Sequence, residues 1–132
     1  LMRILIAEDD MASRKFLARF LSKFGECDIT VDGMEAIEAF MVSFDIGKPY
    51  DLICLDIMMP KLDGIKVLKT IREIEKQKGI HEDEQVKVIM TSAINELDTV
   101  NNSFETGSEA YATKPINTEK FEEVMKKLGL IK

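Results

Sequence analysis

Short runs of consecutive apolar residues alternate along this chain with longer segments in which apolar residues recur every three or four positions. The first kind of run predicts a buried strand, and the second kind of segment predicts an amphipathic helix. The predicted strands are RILIAE (3–8), CDITV (27–31), DLICLD (51–56), VKVIMTS (86–92) and AYAT (110–113). Strands that are apolar on both faces and alternate with helices are typical of a parallel sheet covered on both sides. The pattern therefore predicts an α/β fold, a doubly wound sheet of five strands and five helices.

Glycine and aspartate mark the ends of the first predicted helices. The first helix is predicted over residues 11–24 and stops at Gly25. Asp32-Gly33 and Asp63-Gly64 open the second and third helices. The apolar residues that share one face of the second helix are Met34, Ile37, Phe40 and Met41. This spacing predicts an amphipathic helix.

The second half of the chain continues the alternation. A more polar helix is predicted over residues 95–106, and Thr118 is predicted to cap the last helix. The polar segment 75–85 is predicted to be a helix end followed by a surface loop, not a boundary between domains. We therefore treat residues 2–132 as one domain and place Leu1 outside it.

The amino-acid composition and net charge argue against several classes of function. The chain has 132 residues, of which 45% are hydrophobic and 32% are charged, an ordinary globular mixture. Acidic residues outnumber basic ones by 24 to 18, so we expect no broad basic surface and no direct binding of nucleic acid or membrane. The two cysteines lie in predicted strands and no apolar run is long enough to span a membrane, which indicates a reduced, cytoplasmic protein.

Polar residues follow or end four of the predicted strands. They are Glu8-Asp9-Asp10 after the first strand, Asp56 at the end of the third, Thr91-Ser92 at the end of the fourth and Lys114 after the fifth. In open parallel sheets, the carboxyl ends of the strands meet at one edge, where ligands bind. Crowded carboxylates repel one another, and a divalent cation or a lysine relieves the repulsion. The pattern predicts a Mg²⁺ site at this edge, where Asp56 could accept a phosphoryl group.

Each of these residues also has a plain structural interpretation. An aspartate after a strand commonly caps the next helix, and Asp10, directly before Met11, fits that role. The acidic pair of the site is therefore either Glu8-Asp9 or Asp9-Asp10, and register favours the first because Glu8 directly follows the apolar run. The hydroxyl is that of Thr91 or Ser92. Capping does not explain why all the polar residues fall at strand carboxyl ends.

Taken together, these motifs resemble the receiver domain of two-component response regulators over nearly the whole chain. The matching residues are Glu8-Asp9, Asp56 to Pro60 followed by Asp63-Gly64, Ser92-Ala93 and Lys114-Pro115. The resemblance implies a flavodoxin-like (βα)5 fold with strand order 2-1-3-4-5. It also favours Ser92 over Thr91, because in this family a small residue, here Ala93, follows the switch hydroxyl.

The resemblance also implies roles for individual residues. Asp56 would be the phosphoacceptor, and Asp9, Asp56 and the backbone carbonyl of Met58 would hold Mg²⁺, with Glu8 acting mostly through water. Lys114 would pair with the phosphoryl oxygens.

Two further pairs of positions follow from the resemblance. Ser92 would follow the phosphoryl group, and Tyr111 occupies the aromatic switch position. Met58 and Ile94 occupy positions that in this family influence how water reaches the acyl phosphate. Two apolar side chains hinder water there, so we expect a long-lived phosphorylated state.

The function that the resemblance implies is a signalling switch, not an enzyme that turns over a substrate. A sensor histidine kinase or histidine phosphotransfer protein would phosphorylate Asp56. The surface made by helix four, strand five and helix five would then change and control a downstream protein. We expect a monomer or a phosphorylation-dependent dimer.

Three other functions fit the sequence less well. A Mg²⁺-dependent aspartyl phosphatase of the haloacid dehalogenase type needs an acid two residues after the nucleophile, where this chain has Met58. A flavodoxin-like cofactor binder needs a phosphate-cradling loop after the first strand, where Glu8-Asp9-Asp10 would repel an anion. An interaction domain that works without phosphorylation has little reason to keep the complete set of residues.

Overall fold

Strands and helices alternate through the computed structural model, which describes residues 2–132; Leu1 lies outside the described residues. The strands are β1 (Met2–Ala7), β2 (Gly25–Thr30), β3 (Leu52–Asp56), β4 (Lys87–Ser92) and β5 (Ala110–Thr113). The helices are α1 (Met11–Leu21), α2 (Gly33–Asp45), α3 (Gly64–Gln77), α4 (Leu97–Thr106) and α5 (Thr118–Lys127), with a short 3-10 helix at Glu82–Glu84. Within the described residues, no helix has both the length and the apolar character needed to cross a membrane.

The five strands form one sheet in the order β2-β1-β3-β4-β5, and every neighbouring pair is parallel. The predicted fold class and strand order are therefore confirmed. In this register Ala7 of β1 lies beside Leu55 of β3, and Asp56 lies beside Thr91 of β4. The carboxyl ends of these three strands consequently stand next to each other.

Helices cover both faces of the sheet, so both sides of the central strands are buried. Leu5, Ile53 and Val88 pack in one cluster with residues of α2 and α3. Ile4, Leu52 and Ile89 alternate with them and pack in a second cluster with residues of α1 and α5. Two buried faces explain why the strand sequences are continuously apolar.

Several predicted boundaries shift in the structure. Gly25 does not stop a helix but begins β2, where a Cβ atom would lie 2.3 Å from the carbonyl oxygen of Met2. The preceding helix ends at Leu21, four residues before this close approach. Asn117, not Thr118, caps α5, because its side chain accepts a hydrogen bond from the Lys120 amide at 3.0 Å.

The predicted apolar face of α2 is only partly the buried face. Phe40 is buried, but Met34 and Met41 are about half exposed. Ala36 and Ser43, two small residues of the same helix, are buried instead. Ser43 meets its hydrogen-bonding requirement by donating to the Phe40 carbonyl, so its burial leaves no polar group unsatisfied.

The polar segment 75–85 contains one residue that is not on the surface. Glu75 is buried, accepts a hydrogen bond from the Val86 amide at 2.8 Å and forms an ion pair with Arg72 at 2.7 Å. Arg72 also donates to the Gly107 carbonyl and to the Glu109 carboxylate. This network joins α3 to the end of α4 and the start of β5, far from the carboxyl edge of the sheet.

Candidate functional site

Three carboxylates meet where β1 and β3 end. Glu8 directly follows β1 and extends its pairing with β2, since its amide donates to the Thr30 carbonyl at 3.1 Å. Asp56 is the last residue of β3. Oxygen atoms of Glu8, Asp9 and Asp56 lie within 4.8 Å of one another; Glu8 and Asp56 are buried and Asp9 is exposed. The structure thus brings together the acidic pair Glu8-Asp9 and the candidate phosphoacceptor, as predicted from register.

Lys114 brings a positive charge to these carboxylates from a strand that does not touch β3. Its amide donates to the Ser92 carbonyl at 2.8 Å, which places it just beyond β5. The ammonium nitrogen lies 3.2 Å from an oxygen of Asp56 and 2.5 Å from Oε1 of Glu8. The contact with Asp56 is a hydrogen bond, whereas Glu8 Oε1 has no partner at hydrogen-bond angles. Lys114 therefore reaches across β4 to Asp56 and also across β3 to Glu8.

Burial and neighbouring charges shift the pKa values of Glu8 and Lys114. Burial raises the pKa of Glu8, the neighbouring Asp56 carboxylate raises it further, and Lys114 opposes both effects. Burial alone would lower the pKa of Lys114, but its contacts with Glu8 and Asp56 outweigh burial and raise it. Lys114 is therefore positively charged at neutral pH, where it faces the carboxyl groups of Glu8 and Asp56.

The turn after β1 is fixed by hydrogen bonds from α1. Asp10 caps this helix by accepting from the Ser13 amide at 2.9 Å, which confirms the capping role predicted from sequence. The Arg14 guanidinium donates to the backbone carbonyls of Glu8 and Asp9, each at 3.1 Å. Sequence reasoning missed Arg14, which can be recognised only as a basic residue one helical turn after the acids. It orients the turn that carries two of the carboxylates.

The loop after β3 folds back tightly on the strand. The Gly64 amide donates to the Ile57 carbonyl at 2.8 Å, and a Cβ atom at Gly64 would lie 2.3 Å from the carbonyl oxygen of Asp56. The Met58 amide donates to the Asp56 carboxylate at 3.2 Å. The Met58 side chain is 60% exposed and lines an open groove together with Ile94. Both predicted tuning residues are thus near the site without belonging to the charged cluster.

A chain of hydrogen bonds joins the candidate switch residues. The buried Ser92 hydroxyl accepts from the Ile94 amide at 3.0 Å, and the Tyr111 hydroxyl donates to the Ile94 carbonyl at 2.5 Å. Thr91 is also buried, and its carbonyl accepts from the Ile57 amide at 3.1 Å. Tyr111 does not reach the carboxylates, but Ile94 connects it with Ser92.

The donor atoms of the cluster fit a hard divalent cation. All three side chains offer carboxylate oxygens, which Mg²⁺ prefers, and these oxygens lie within 4.8 Å of one another. Oε1 of Glu8 is buried and forms an ion pair with the Lys114 ammonium at 2.5 Å. A parallel sheet with this group at its carboxyl edge has the architecture of the flavodoxin-like receivers.

Comparison with known proteins places the chain within a family. A family model described as the response regulator receiver domain matches residues 4–126. The chemotaxis protein CheY of Treponema pallidum is 30% identical over 120 residues, which cover 89% of this chain and 76% of that protein. Two hybrid signal transduction histidine kinases of Dictyostelium discoideum are 34% and 31% identical, but the chain spans only 7% of the length of each.

Solved structures agree with the sequence comparison. CheY in the CheX-CheY-BeF3-Mg²⁺ complex from Borrelia burgdorferi has a TM-score of 0.84 and 27% identity, covering 99% of this chain and 90% of that one. A receiver domain co-crystallised with a Saccharomyces cerevisiae histidine phosphotransfer protein has a TM-score of 0.80 and 27% identity, covering 95% and 87%. The chain belongs to the response regulator receiver domain family.

Proposed function

We propose that this protein is a phosphorylation-dependent switch that accepts a phosphoryl group from a phosphohistidine donor onto Asp56. The observation that carries this proposal is the position of the buried Asp56 carboxylate, which shares one cluster with Glu8 and Asp9 and a hydrogen bond with Lys114. A carboxylate so placed can attack phosphorus while its neighbours balance the charge.

The phosphorylation step uses few groups of the protein. An oxygen of Asp56 attacks the phosphorus, the bond between phosphorus and the donor's nitrogen breaks, and the departing imidazole keeps that electron pair. Lys114 pairs with the phosphoryl oxygens. Asp9, Asp56 and the Met58 carbonyl would hold Mg²⁺, with Glu8 acting mostly through water, and the ion would neutralise charge on the transferring group. The protein catalyses only its own phosphorylation and dephosphorylation, so we class it as a phosphoacceptor and not as an enzyme that turns over a substrate.

Relatives support the choice of partners. One similar receiver domain was crystallised with a histidine phosphotransfer protein, and a similar CheY was crystallised with CheX, BeF3 and Mg²⁺. We propose that a sensor histidine kinase or a histidine phosphotransfer protein is the donor and that a downstream protein is the target. The proposal includes a cytoplasmic location, no direct contact with nucleic acid or membrane, and a monomer or a phosphorylation-dependent dimer.

Intact-protein mass after incubation with acetyl phosphate tests the function. Wild type should gain one phosphoryl group only when Mg²⁺ is present, and Asp56→Ala should gain none. Asp63→Ala is the matched control, because Asp63 is another aspartate of the same loop but caps α3 instead of joining the cluster. If Asp56→Ala is phosphorylated like wild type, the proposed acceptor is wrong. No gain on wild type from acetyl phosphate or from a phosphorylated histidine phosphotransfer protein would favour an interaction domain that works without phosphorylation.

Ser92 and Tyr111 are proposed to transmit the change in charge. If the Ser92 hydroxyl turns to the phosphoryl oxygens, it no longer accepts from the Ile94 amide. Ile94 also accepts from Tyr111, so this loss loosens the segment before α4 and releases the tyrosine. The effect would reach the surface of α4, β5 and α5, where the downstream partner is expected to bind.

Removing the Ser92 hydroxyl should uncouple phosphorylation from this surface. Ser92→Ala is expected to accept the phosphoryl group yet to lose most of the phosphorylation-induced changes in amide chemical shift across α4 and β5. Thr91→Val is the control, because it removes the adjacent hydroxyl and keeps the side-chain shape. A normal response in Ser92→Ala and a lost response in Thr91→Val would identify Thr91 as the switch hydroxyl instead.

Met58 and Ile94 are proposed to prolong the phosphorylated state. Both line a groove that also includes Ile57, the residue after Asp56, and neither offers a polar side-chain atom to hold an attacking water. Met58→Asn should therefore shorten the lifetime of the acyl phosphate, by roughly tenfold if one ordered water is gained. The decay of phosphorylated protein after removal of the donor measures this lifetime. Leu97→Asn, an apolar-to-amide change at an exposed residue of α4, should have little effect. An unchanged lifetime in Met58→Asn would contradict the proposal.

A further inference from the structure

Exposed apolar side chains are concentrated at the sheet edge formed by β2 and α2. Eleven large hydrophobic residues of the described chain are exposed, and six of them lie in this region. They are Ile29, Val31, Met34, Met41, Val42 and Ile46. We name this region, residues 28–46, the α2–β2 surface. These apolar residues lie outside the carboxylate cluster, and exposed apolar patches commonly mark interaction sites.

A groove runs along this surface between α2 and the free edge of β2. It has a volume of about 400 Å³, and Ile29, Val42 and Ile46 contribute apolar lining. Among the described strands β2 has only β1 as a neighbour, so its outer edge is unpaired within this part of the chain. Asp28 borders the groove and accepts hydrogen bonds from Arg3 and Tyr50, each at 2.6 Å. The charge of Arg3 is thereby balanced within the molecule.

The other charged residues within the segment 28–46 are acidic. Glu35, Glu38 and Asp45 of α2 are exposed, and residues 31–47 contain no lysine or arginine. Lys48 follows only beyond the end of the helix. Two copies of this surface facing each other would place these carboxylates together, which disfavours self-association and anionic lipid. Complementarity requires a partner that combines apolar with basic side chains.

The spacing along α2 matches the recognition of a helix. Met34 and Met41 lie two turns apart on one flank of the exposed face, and Val42 and Ile46 lie one turn apart on the other. Glu38 falls between the two flanks. Methionine side chains are flexible and common on surfaces that accept helices.

We propose that the α2–β2 surface docks a cationic amphipathic helix of a protein partner. Leucine-like anchors of the partner enter the groove beside Val42 and Ile46, while its lysines or arginines face Glu35 and Glu38. β2 and β5 are opposite edges of the sheet, so this partner does not compete for the α4–β5–α5 surface. The proposal stands apart from the phosphorylation of Asp56.

A pair of defined peptides tests the docking proposal. Both peptides are amphipathic helices of 13 residues, the length of α2, and both have the same leucines on their apolar face. One peptide carries lysines on its polar face, and the other carries glutamates. Titration into isotopically labelled protein, followed by amide chemical shifts, should show the lysine peptide perturbing residues 28–46 and the glutamate peptide perturbing none. Asp56→Ala should give the same result, which separates this test from that of the proposed function.

Two substitutions on the surface and one control give the test its specificity. Val42→Asn should weaken binding of the lysine peptide by about tenfold, and Glu38→Lys by roughly three- to tenfold. Leu97→Asn, on α4, should change nothing. The proposal is overturned if both peptides bind equally, if the perturbations lie mainly outside residues 28–46, or if sedimentation shows a dimer of this chain that Val42→Asn dissociates.

Discussion

Replacing Lys114 with alanine is expected to slow the Mg²⁺-dependent phosphorylation of Asp56 by acetyl phosphate about a hundredfold. Lys114 is the lysine that hydrogen-bonds to Asp56, at 3.2 Å, and it faces Glu8 at 2.5 Å. Its ammonium can neutralise phosphoryl charge that develops during transfer. Without it, the attacking carboxylate and the incoming phosphoryl group would repel each other in a partly buried site.

Rates of mass gain at several acetyl phosphate concentrations measure this effect. Lys120→Ala is the control, since it removes an exposed lysine from α5 without touching the cluster. Lys114→Arg should retain part of the rate, because it keeps the charge but not the compact ammonium. A Lys114→Ala rate within about threefold of wild type would contradict the assigned role.

The same substitution has a pH-dependent effect on stability without Mg²⁺. The pKa of Lys114 is raised by its carboxylate partners, so its contribution to the free energy of unfolding is present below its ordinary pKa of 10.5 and lost as pH rises through the folded value. Its partners must also be ionised. Lys114→Ala should therefore be most destabilising between neutral pH and about 10, and the difference from wild type should shrink in acid. Urea unfolding at several pH values measures it, and a difference that does not vary with pH would contradict it.

Gly64→Ala is expected to lower the free energy of unfolding by about 3 kcal/mol or more and to impair phosphorylation. The added Cβ would lie 2.3 Å from the carbonyl oxygen of Asp56 and 2.7 Å from the Cα of Ile57. Both are backbone atoms, so no side-chain rotation relieves the overlap. Either α3 or the end of β3 has to move, and the end of β3 carries Asp56, the proposed phosphoacceptor.

Gly79→Ala separates this steric effect from the general cost of replacing glycine. Gly79 has a φ of +67°, and apart from its two neighbours in the chain no described residue has an atom within 4 Å of the added Cβ. Its substitution should cost only about 1 kcal/mol, from backbone strain, and leave phosphorylation unchanged. Urea unfolding and the acetyl phosphate reaction compare the two variants. Equal losses of stability would mean that the backbone around Asp56 yields more easily than the distances indicate.

The sheet and its carboxyl edge could be predicted because their signals are local in sequence. Continuous apolar runs mark strands buried on both sides, and a residue at the end of a parallel strand must lie at one edge of the sheet. Glu8 and Asp56 are therefore found together although 48 residues apart. Lys114 is placed at the same edge because it follows the fifth predicted strand.

Other features depend on packing that the sequence does not encode locally. The apolar pattern of α2 includes Met34 and Met41, but the small residues Ala36 and Ser43 are buried in their place. In the sequence, Glu75 cannot be distinguished from the exposed polar residues beside it. It can be buried because the Val86 amide, 11 residues away, donates a hydrogen bond to its carboxylate. Arg14 donates hydrogen bonds to backbone carbonyls. Because every residue has a backbone carbonyl, such a contact requires no particular partner residue type that could be recognised in the sequence.

The two ends of α4 differ in the side-chain hydrogen bonds that fix them. This difference determines which end of the helix can move. At its carboxyl end, Arg72 donates to the Gly107 carbonyl, and the buried hydroxyls of Ser103 and Ser108 lie 2.6 Å apart. At its amino end, Glu96 makes no capping hydrogen bond and Leu97 is 71% exposed. If a conformational change is transmitted through Ile94, we expect α4 to rotate about its carboxyl end. The first turn of the helix would then move furthest.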